Sequence, residues 1–259
     1  MRLQTPDDVW GRIEALARAE PGGVVATDGD GTLWSGDVGE DLFHAFVEHG
    51  RVEPASLEAL RCDARDHALS DAGSGPDIAR RIYAAYAEGR FPEPRVCELM
   101  VWCFAGWRRG EMRSFARSVV DKSGLAGRLH AEVLHVLERV RAAGIEAVLV
   151  SASPIDVVLE AGSRVGFDER HVVAAHPRYR GDVMVAEVES PIPYGEGKVS
   201  RLFERIGAGG SIYAAFGDSG FDVPLLSRAR VPVAVRPKPQ LRKRASEIHS
   251  VVELARAEK

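Results

Sequence analysis

Two aspartates stand one residue apart in Val24-Val25-Ala26-Thr27-Asp28-Gly29-Asp30-Gly31-Thr32-Leu33-Trp34, directly after a short apolar run. Such a run reads as a strand buried on both faces, and open α/β sheets carry their chemistry at the carboxyl ends of such strands. Residues i and i+2 of an extended chain point the same way. Asp28 and Asp30 are therefore expected to aim two carboxylates at one spot. Carboxylates held that close repel, so one must be protonated or both must meet a cation. The pair suits a hard cation such as magnesium and leaves one carboxylate free to act as a nucleophile. Asp-Gly-Asp-Gly is also ordinary turn chemistry. The run opens like a calcium loop as well, but the twelfth position from Asp28 is Gly39 rather than glutamate.

The elements that must position these residues can be read from periodicity. Residues 6–20 have the spacing of an amphipathic helix that stops before Pro21-Gly22-Gly23. Residues 38–120 contain no convincing strand and read as five successive helices, Glu40 to His49, Ala55 to Ala68, Asp77 to Glu88, Pro94 to Ala105 and Arg109 to Val120. After Gly124 helices and strands alternate. Strands are predicted at 145–150, 172–174, 212–216 and 231–235, a hairpin over 178–188, and helices over 132–143, 155–162 and 198–206. Alternation of this kind argues for an α/β fold, a parallel sheet with helices on both faces, carrying a helical insert.

Composition narrows the class. The chain has 259 residues, 45% hydrophobic and 28% charged, with a net charge of -4. That is an ordinary globular composition, and the charge gives no electrostatic case for nucleic acid or an anionic membrane. The basic run Arg242-Lys243-Arg244 is short and reads as a solvated helix face. No apolar stretch approaches a membrane span. Residues 1–8 are polar and acidic, unlike a signal peptide, and Cys62, Cys97 and Cys103 form an odd set without metal-like spacing. A cytoplasmic protein with reduced thiols is expected. His44 and His49, and His130 and His135, are each five apart, a poor fit to one helix face, and are not read as ligands.

Four places now share one position, the carboxyl end of a strand or a nearby helix start: Asp28/Asp30/Thr32, Ser151, Lys198 and Asp218/Asp222. Phosphoryl transfer needs what they offer, namely a carboxylate to attack phosphorus, a hydroxyl and amides to hold phosphate oxygens, an ammonium to offset charge, and carboxylates for a metal. These residues resemble the four motifs of the haloacid dehalogenase superfamily of phosphohydrolases, in the family's order: Asp28-Gly29-Asp30-Gly31-Thr32, Ser151 after Val148-Leu149-Val150, Lys198 in Gly195-Glu196-Gly197-Lys198, and Gly217-Asp218-Ser219-Gly220-Phe221-Asp222. The resemblance is to the phosphoserine-phosphatase-like branch, which inserts a helical cap after the first motif and a hairpin before the lysine. It implies a Rossmann-like core from residues 1–36 and 125–259 and an all-helical cap over 37–124 that sets substrate specificity.

The resemblance also implies roles. Asp28 would form an aspartyl-phosphate, Asp30 would protonate the leaving oxygen and then activate water, and Thr32 would orient Asp30. Ser151, Ala152 and Lys198 would bind phosphate. Asp28, Asp30 through its main-chain carbonyl, and Asp218 would hold magnesium, with Asp222 supporting the metal's waters and Lys198. The expected substrate is a small phosphorylated metabolite, phosphoserine-like or amine-bearing. Asp37 and Glu40 are candidates to meet an amine, and Arg80 or Arg81 a carboxylate. Phe221 stands where the family has asparagine, a departure from phosphoserine recognition. Trp34, Trp102, Phe104 and Trp107 are expected to add aromatic surface near the entrance or in the cap, with helix-core packing the favoured role for Trp102 and Trp107. A phosphotransferase or mutase with the same intermediate, and a catalytically idle binding module, are the alternative readings.

Overall fold

The computed structural model describes residues 1–257. In chain order the elements are β1 (Arg2–Gln4), α1 (Pro6–Ala19), β2 (Val24–Thr27), α2 (Val38–His49), α3 (Pro54–Asp66), α4 (Gly75–Ala87), α5 (Glu93–Trp102), α6 (Arg109–Lys122), α7 (Ala131–Ala142), β3 (Glu146–Pro154), α8 (Ile155–Ser163), β4 (Val172–Ala175), β5 (Pro177–Arg180), β6 (Val183–Val188), α9 (Glu196–Ile206), β7 (Ile212–Gly217), α10 (Val223–Arg228), β8 (Val231–Ala234), α11 (Pro239–Arg244) and β9 (Val252–Leu254). Seven strands form one parallel sheet in the order β1-β9-β8-β7-β2-β3-β4, and β5 and β6 pair separately as an antiparallel hairpin.

The sheet is covered on both faces because successive strand residues point to opposite sides. Val25, Leu149, Ala214 and Phe216 belong to the apolar cluster shared with Val9 and Ile13 of α1 and with Val136 and Val140 of α7. Their neighbours Val24, Ala26, Val148, Val150 and Ala215 belong to a second cluster, with Leu202 of α9 and Leu225 and Leu226 of α10. Burial on both faces leaves these strands no polar positions, which is why they read as continuous apolar runs. The α1 helix has a capping box, Thr5 with Asp8, and Pro6 in its first turn. A cap of this kind contributes about 1 kcal/mol.

The five helices α2–α6 sit between β2 and β3 in sequence. They share the first apolar cluster with the sheet: Phe43, Phe46, Leu60, Ile82 and Leu99 are continuous with Val25 and Leu149. The helical segment is also pinned from outside itself. Gly106 and Arg109 donate to the carbonyls of Met184 and Asp182, and Met184 donates to Trp107, so the β5–β6 hairpin braces the turn into α6. None of the described helices is long and apolar enough to cross a membrane.

Two edge elements lie outside the sequence expectation, β1 and β9. They pair with each other at one edge of the sheet, with only three residues each. The second predicted strand is longer than expected. β3 runs on through Ser151 to Pro154, so Ser151 lies in a strand rather than at a helix cap.

Candidate active site

Three adjacent strands, β7-β2-β3, deliver the candidate residues. Asp28 follows β2, and its amide donates to the Phe216 carbonyl of β7. Asp218 follows β7, and Ser151 lies in β3. Three loops therefore leave the same edge of the sheet side by side, the place where parallel α/β sheets hold ligands. Lys198 comes from the first turn of α9, below them.

Asp28 is 3% exposed and Lys198 is fully buried. The Lys198 Nζ donates to Asp28 Oδ1 at 2.6 Å and to Asp222 Oδ1 at 2.5 Å, and the Thr32 hydroxyl donates to Asp28 Oδ2 at 2.9 Å. One carboxylate is thus held by two donors on its two oxygens. Thr32 orients Asp28 in this way, not Asp30 as the resemblance implied, because its hydroxyl reaches back four residues to the second carboxylate oxygen of Asp28. Burial is the largest influence on Asp28 and raises its pKa; Lys198 opposes this, and Asp222, Asp218 and Asp30 add to it. Burial alone would depress Lys198, but Asp222 and Asp28 raise it, so the ammonium stays charged. His130 braces the same loop: its buried ring, depressed in pKa first by burial, meets the Thr32 carbonyl at 2.8 Å through Nδ1. A neutral ring facing a carbonyl must donate, which assigns the proton to Nδ1.

Asp30 points elsewhere. Its Oδ1 accepts from Trp34 Nε1 and from the Val38 amide, both at 2.7 Å, and its Oδ2 accepts from the Ser153 hydroxyl at 2.8 Å. Val38 is the first residue of α2, so the amino end of that helix anchors the carboxylate. Asp30 therefore supplies no side-chain oxygen to the cluster of carboxylates. Its main-chain carbonyl accepts no hydrogen bond from the described residues.

Oxygens of Asp28, Asp218 and Asp222 lie within 4.8 Å of one another. Asp222 is already committed: its Oδ1 takes Lys198, and its Oδ2 accepts from the Asp218 and Ser219 amides and the Ser219 hydroxyl. It shapes the loop and orients the lysine. Asp218 is different. Its Oδ2 meets Lys238 Nζ at 3.0 Å, while its buried Oδ1 has no partner. An orphaned buried carboxylate oxygen beside a second carboxylate, with three acids facing only Lys198 and Lys238, fits a divalent cation. Gly31 makes room for this: its φ is +81°, and a Cβ there would come within 2.0 Å of Asp218 Oδ2. Conformation and close approach both require glycine.

Asp218 is pushed up to about 6, first by burial and then by Asp222. A carboxyl whose folded pKa exceeds its unfolded one binds a proton that the unfolded chain releases, so its contribution to stability falls as pH rises between those values. Asn mimics the protonated acid. In chelator, the melting temperature of Asp218→Asn relative to the parent chain is therefore expected to increase from about pH 4 to about pH 7. Magnesium should remove that advantage. A difference that stays flat with pH would show the buried charge to be compensated already.

A cavity of about 270 Å3 opens above this cluster. Asp28, Asp30, Ser151, Ala152 and Ser153 line it together with Asp37, Glu40, Tyr86, Glu93 and Phe221. Glu93, Tyr86, Ser153 and Lys238 were not singled out from sequence. Lys238 follows β8 in Arg236-Pro237-Lys238-Pro239, and the turn itself was the only signal for it.

Arg80 and Arg81 are not part of this cavity. They lie off the apolar face of α4, which Ile78, Ala79, Ile82 and Ala85 bury. Arg80 pairs with Asp77, and Arg81 donates to the carbonyls of Ser70 and Ala72. The tryptophans are not entrance residues either. Trp34, Trp102, Phe104 and Trp107 are all buried, and Trp34 contributes through its hydrogen bond to Asp30.

A parallel sheet with this arrangement of acids at three adjacent strand ends defines a class. The chain belongs to the haloacid dehalogenase-like hydrolases, whose family pattern it matches over residues 25–227. Among solved structures it is similar to a protein of unknown function from Bordetella pertussis Tohama I, at 22% identity and a TM-score of 0.66, over 90% of this chain and 97% of that one. A functionally unknown protein from Anaerococcus prevotii DSM 20548 gives 16% identity and a TM-score of 0.66, over 98% and 93%. A phosphoserine phosphatase described as a phospho-aspartyl intermediate analogue shares the fold at 13% identity and a TM-score of 0.53, over 91% and 94%. No curated protein matches the sequence.

Proposed function

We propose that this chain is a magnesium-dependent phosphomonoesterase acting through an aspartyl-phosphate on a small phosphorylated metabolite. The observation that carries the reading is Asp28: a buried carboxylate gripped by Lys198 and Thr32, at the floor of a cavity, beside the unpartnered Asp218 Oδ1. In this reading residues 37–124 act as the cap over a core of 1–36 and 125–259.

A carboxylate oxygen of Asp28 attacks phosphorus, and the ester P–O bond breaks with its electron pair leaving on the alcohol oxygen. Asp30, protonated, gives that oxygen its proton. Water then loses a proton to Asp30 and attacks the same phosphorus, and the bond to Asp28 breaks to release inorganic phosphate. Ser151, the Ala152 backbone and Lys198 hold the phosphoryl oxygens. Trp34, Val38 and Ser153 keep Asp30 aimed at the leaving group, since a mobile acid gives up much of the advantage of proximity. Asp28, Asp218 and the Asp30 carbonyl would hold magnesium, which offsets charge on the transferring phosphoryl group.

Hydrolysis of p-nitrophenyl phosphate with magnesium tests the reading. Chelation is expected to cut the rate at least about 100-fold, restored by added magnesium. Equal rates with and without chelator would remove the metal from the mechanism. Formation of a second phosphate ester with an added acceptor alcohol, in preference to phosphate release, would favour the transferase.

A further inference from the structure

Part of the cavity wall is acidic and lacks a cation to match. Asp37, Glu40 and Glu93 all line it. Among the described residues none of the three has an ion-pair partner, whereas Asp41, Asp63, Glu111 and Glu132 each meet an arginine. They come from separate places. Asp37 caps α2 by accepting from the Glu40 amide, Glu40 lies in the first turn of the same helix, and Glu93 starts α5 and accepts from the Tyr194 hydroxyl at 3.2 Å. Half-buried carboxylates without counter-charges are costly unless something supplies one.

The same walls hold no guanidinium. The lining contains no arginine, and its one cationic side chain, Lys238, is paired with Asp218. Arg128 lies behind Gly36 and is spent on Asp41 and the Ser35 carbonyl. A substrate carboxylate placed beside Asp37, Glu40 and Glu93 would meet three acids and no fork of donors. Phe221 adds to this. It stacks on Tyr194 with ring centroids 5.0 Å apart, and so presents an apolar face where an amide would have donated or accepted. The cavity, at about 270 Å3, falls below the roughly 300 Å3 at which sites for drug-sized ligands begin. After the phosphate is seated there is room for a short chain.

From this we infer that the substrate is the phosphate monoester of a short amino alcohol that carries an ammonium and no carboxylate, with the ammonium held by Asp37, Glu40 and Glu93. The inference rests on the phosphomonoesterase reading of the inner site and adds the leaving group. Ammonium N–H groups suit carboxylate acceptors, and the Tyr86 side chain lines the same cavity.

The test compares four esters on the full-length chain with magnesium: p-nitrophenyl phosphate, 2-aminoethyl phosphate, 2-hydroxyethyl phosphate and O-phosphoserine. The expected kcat/KM for 2-aminoethyl phosphate exceeds those for 2-hydroxyethyl phosphate and O-phosphoserine by about tenfold or more, as one well-placed charged contact allows. Glu93→Gln and, independently, Glu40→Gln should each lower the ratio of 2-aminoethyl to 2-hydroxyethyl phosphate about fivefold. A ratio near one in the parent chain, or a preference for O-phosphoserine, overturns the inference while hydrolysis of p-nitrophenyl phosphate leaves the phosphomonoesterase reading standing. Failure to hydrolyse any of the four removes both.

Discussion

Asp28→Asn is expected to lower magnesium-supported hydrolysis of p-nitrophenyl phosphate by roughly 10^4-fold or more, the scale on which removing a covalent nucleophile acts. The substitution isolates the chemistry from the fold. An asparagine oxygen still accepts from Thr32 or Lys198, and volume is conserved in a site where the parent side chain is 3% exposed. It also removes one of three carboxylates facing two ammoniums, so the metal-free protein should lose little stability. The measurement is the rate under saturating magnesium together with a thermal melt. Inactive but folded protein is the expected outcome. Retention of more than about one part in 100 of the parent kcat in a folded variant would assign the attack to another group.

Lys198→Met is expected to cost stability as well as activity. The lysine is fully buried and bonds to two buried acids, Asp28 and Asp222. Removing one partner of a buried ionic network leaves uncompensated charge and costs about 3–5 kcal/mol. For a chain of this length that is on the order of a 10 °C fall in melting temperature. The sign with pH follows from the carboxylates. Burial already raises Asp28, and loss of the ammonium raises it further. A carboxyl with a raised folded pKa loses stability as pH rises, so the deficit of the variant should be larger near pH 8 than near pH 5. Magnesium should recover part of it by supplying the missing positive charge. A deficit independent of pH would mean that lost packing of the lysine stem, rather than its charge, dominates.

The strands that carry the site were legible because each is buried on both faces. Val24–Thr27, Val148–Val150 and Ile212–Phe216 contain no residue that must reach water, and the acid, serine or glycine after each marks where the strand leaves the core. The edge strand β1 and its neighbour β9 were too short to stand out. Leu3 is 64% exposed in β1, and β9 buries only Val252 and Leu254 of its three residues. The paired helices of the insert were legible for a similar reason, since each buries one stripe; α4 shows it in Ile78, Ala79, Ile82 and Ala85. Which side of that stripe faced the site was not. Arg80 and Arg81 have the right charge for a carboxylate and the wrong side of the helix.

By itself the sequence determined the family, because the groups that mark it stand at strand ends, and strand ends are local features. Only the tertiary structure decided how those groups divide the work and what the cavity admits. Asp28 and Asp30 are separated by a single residue, yet one is turned to Lys198 and the other to Trp34, Val38 and Ser153. Asp37, Glu40 and Glu93 become one acidic wall only when α2 and α5 pack over the same strand ends. The electrostatic character of such a wall depends on which opposite charges come within a few ångströms, and distances between residues far apart in the chain are set by packing alone.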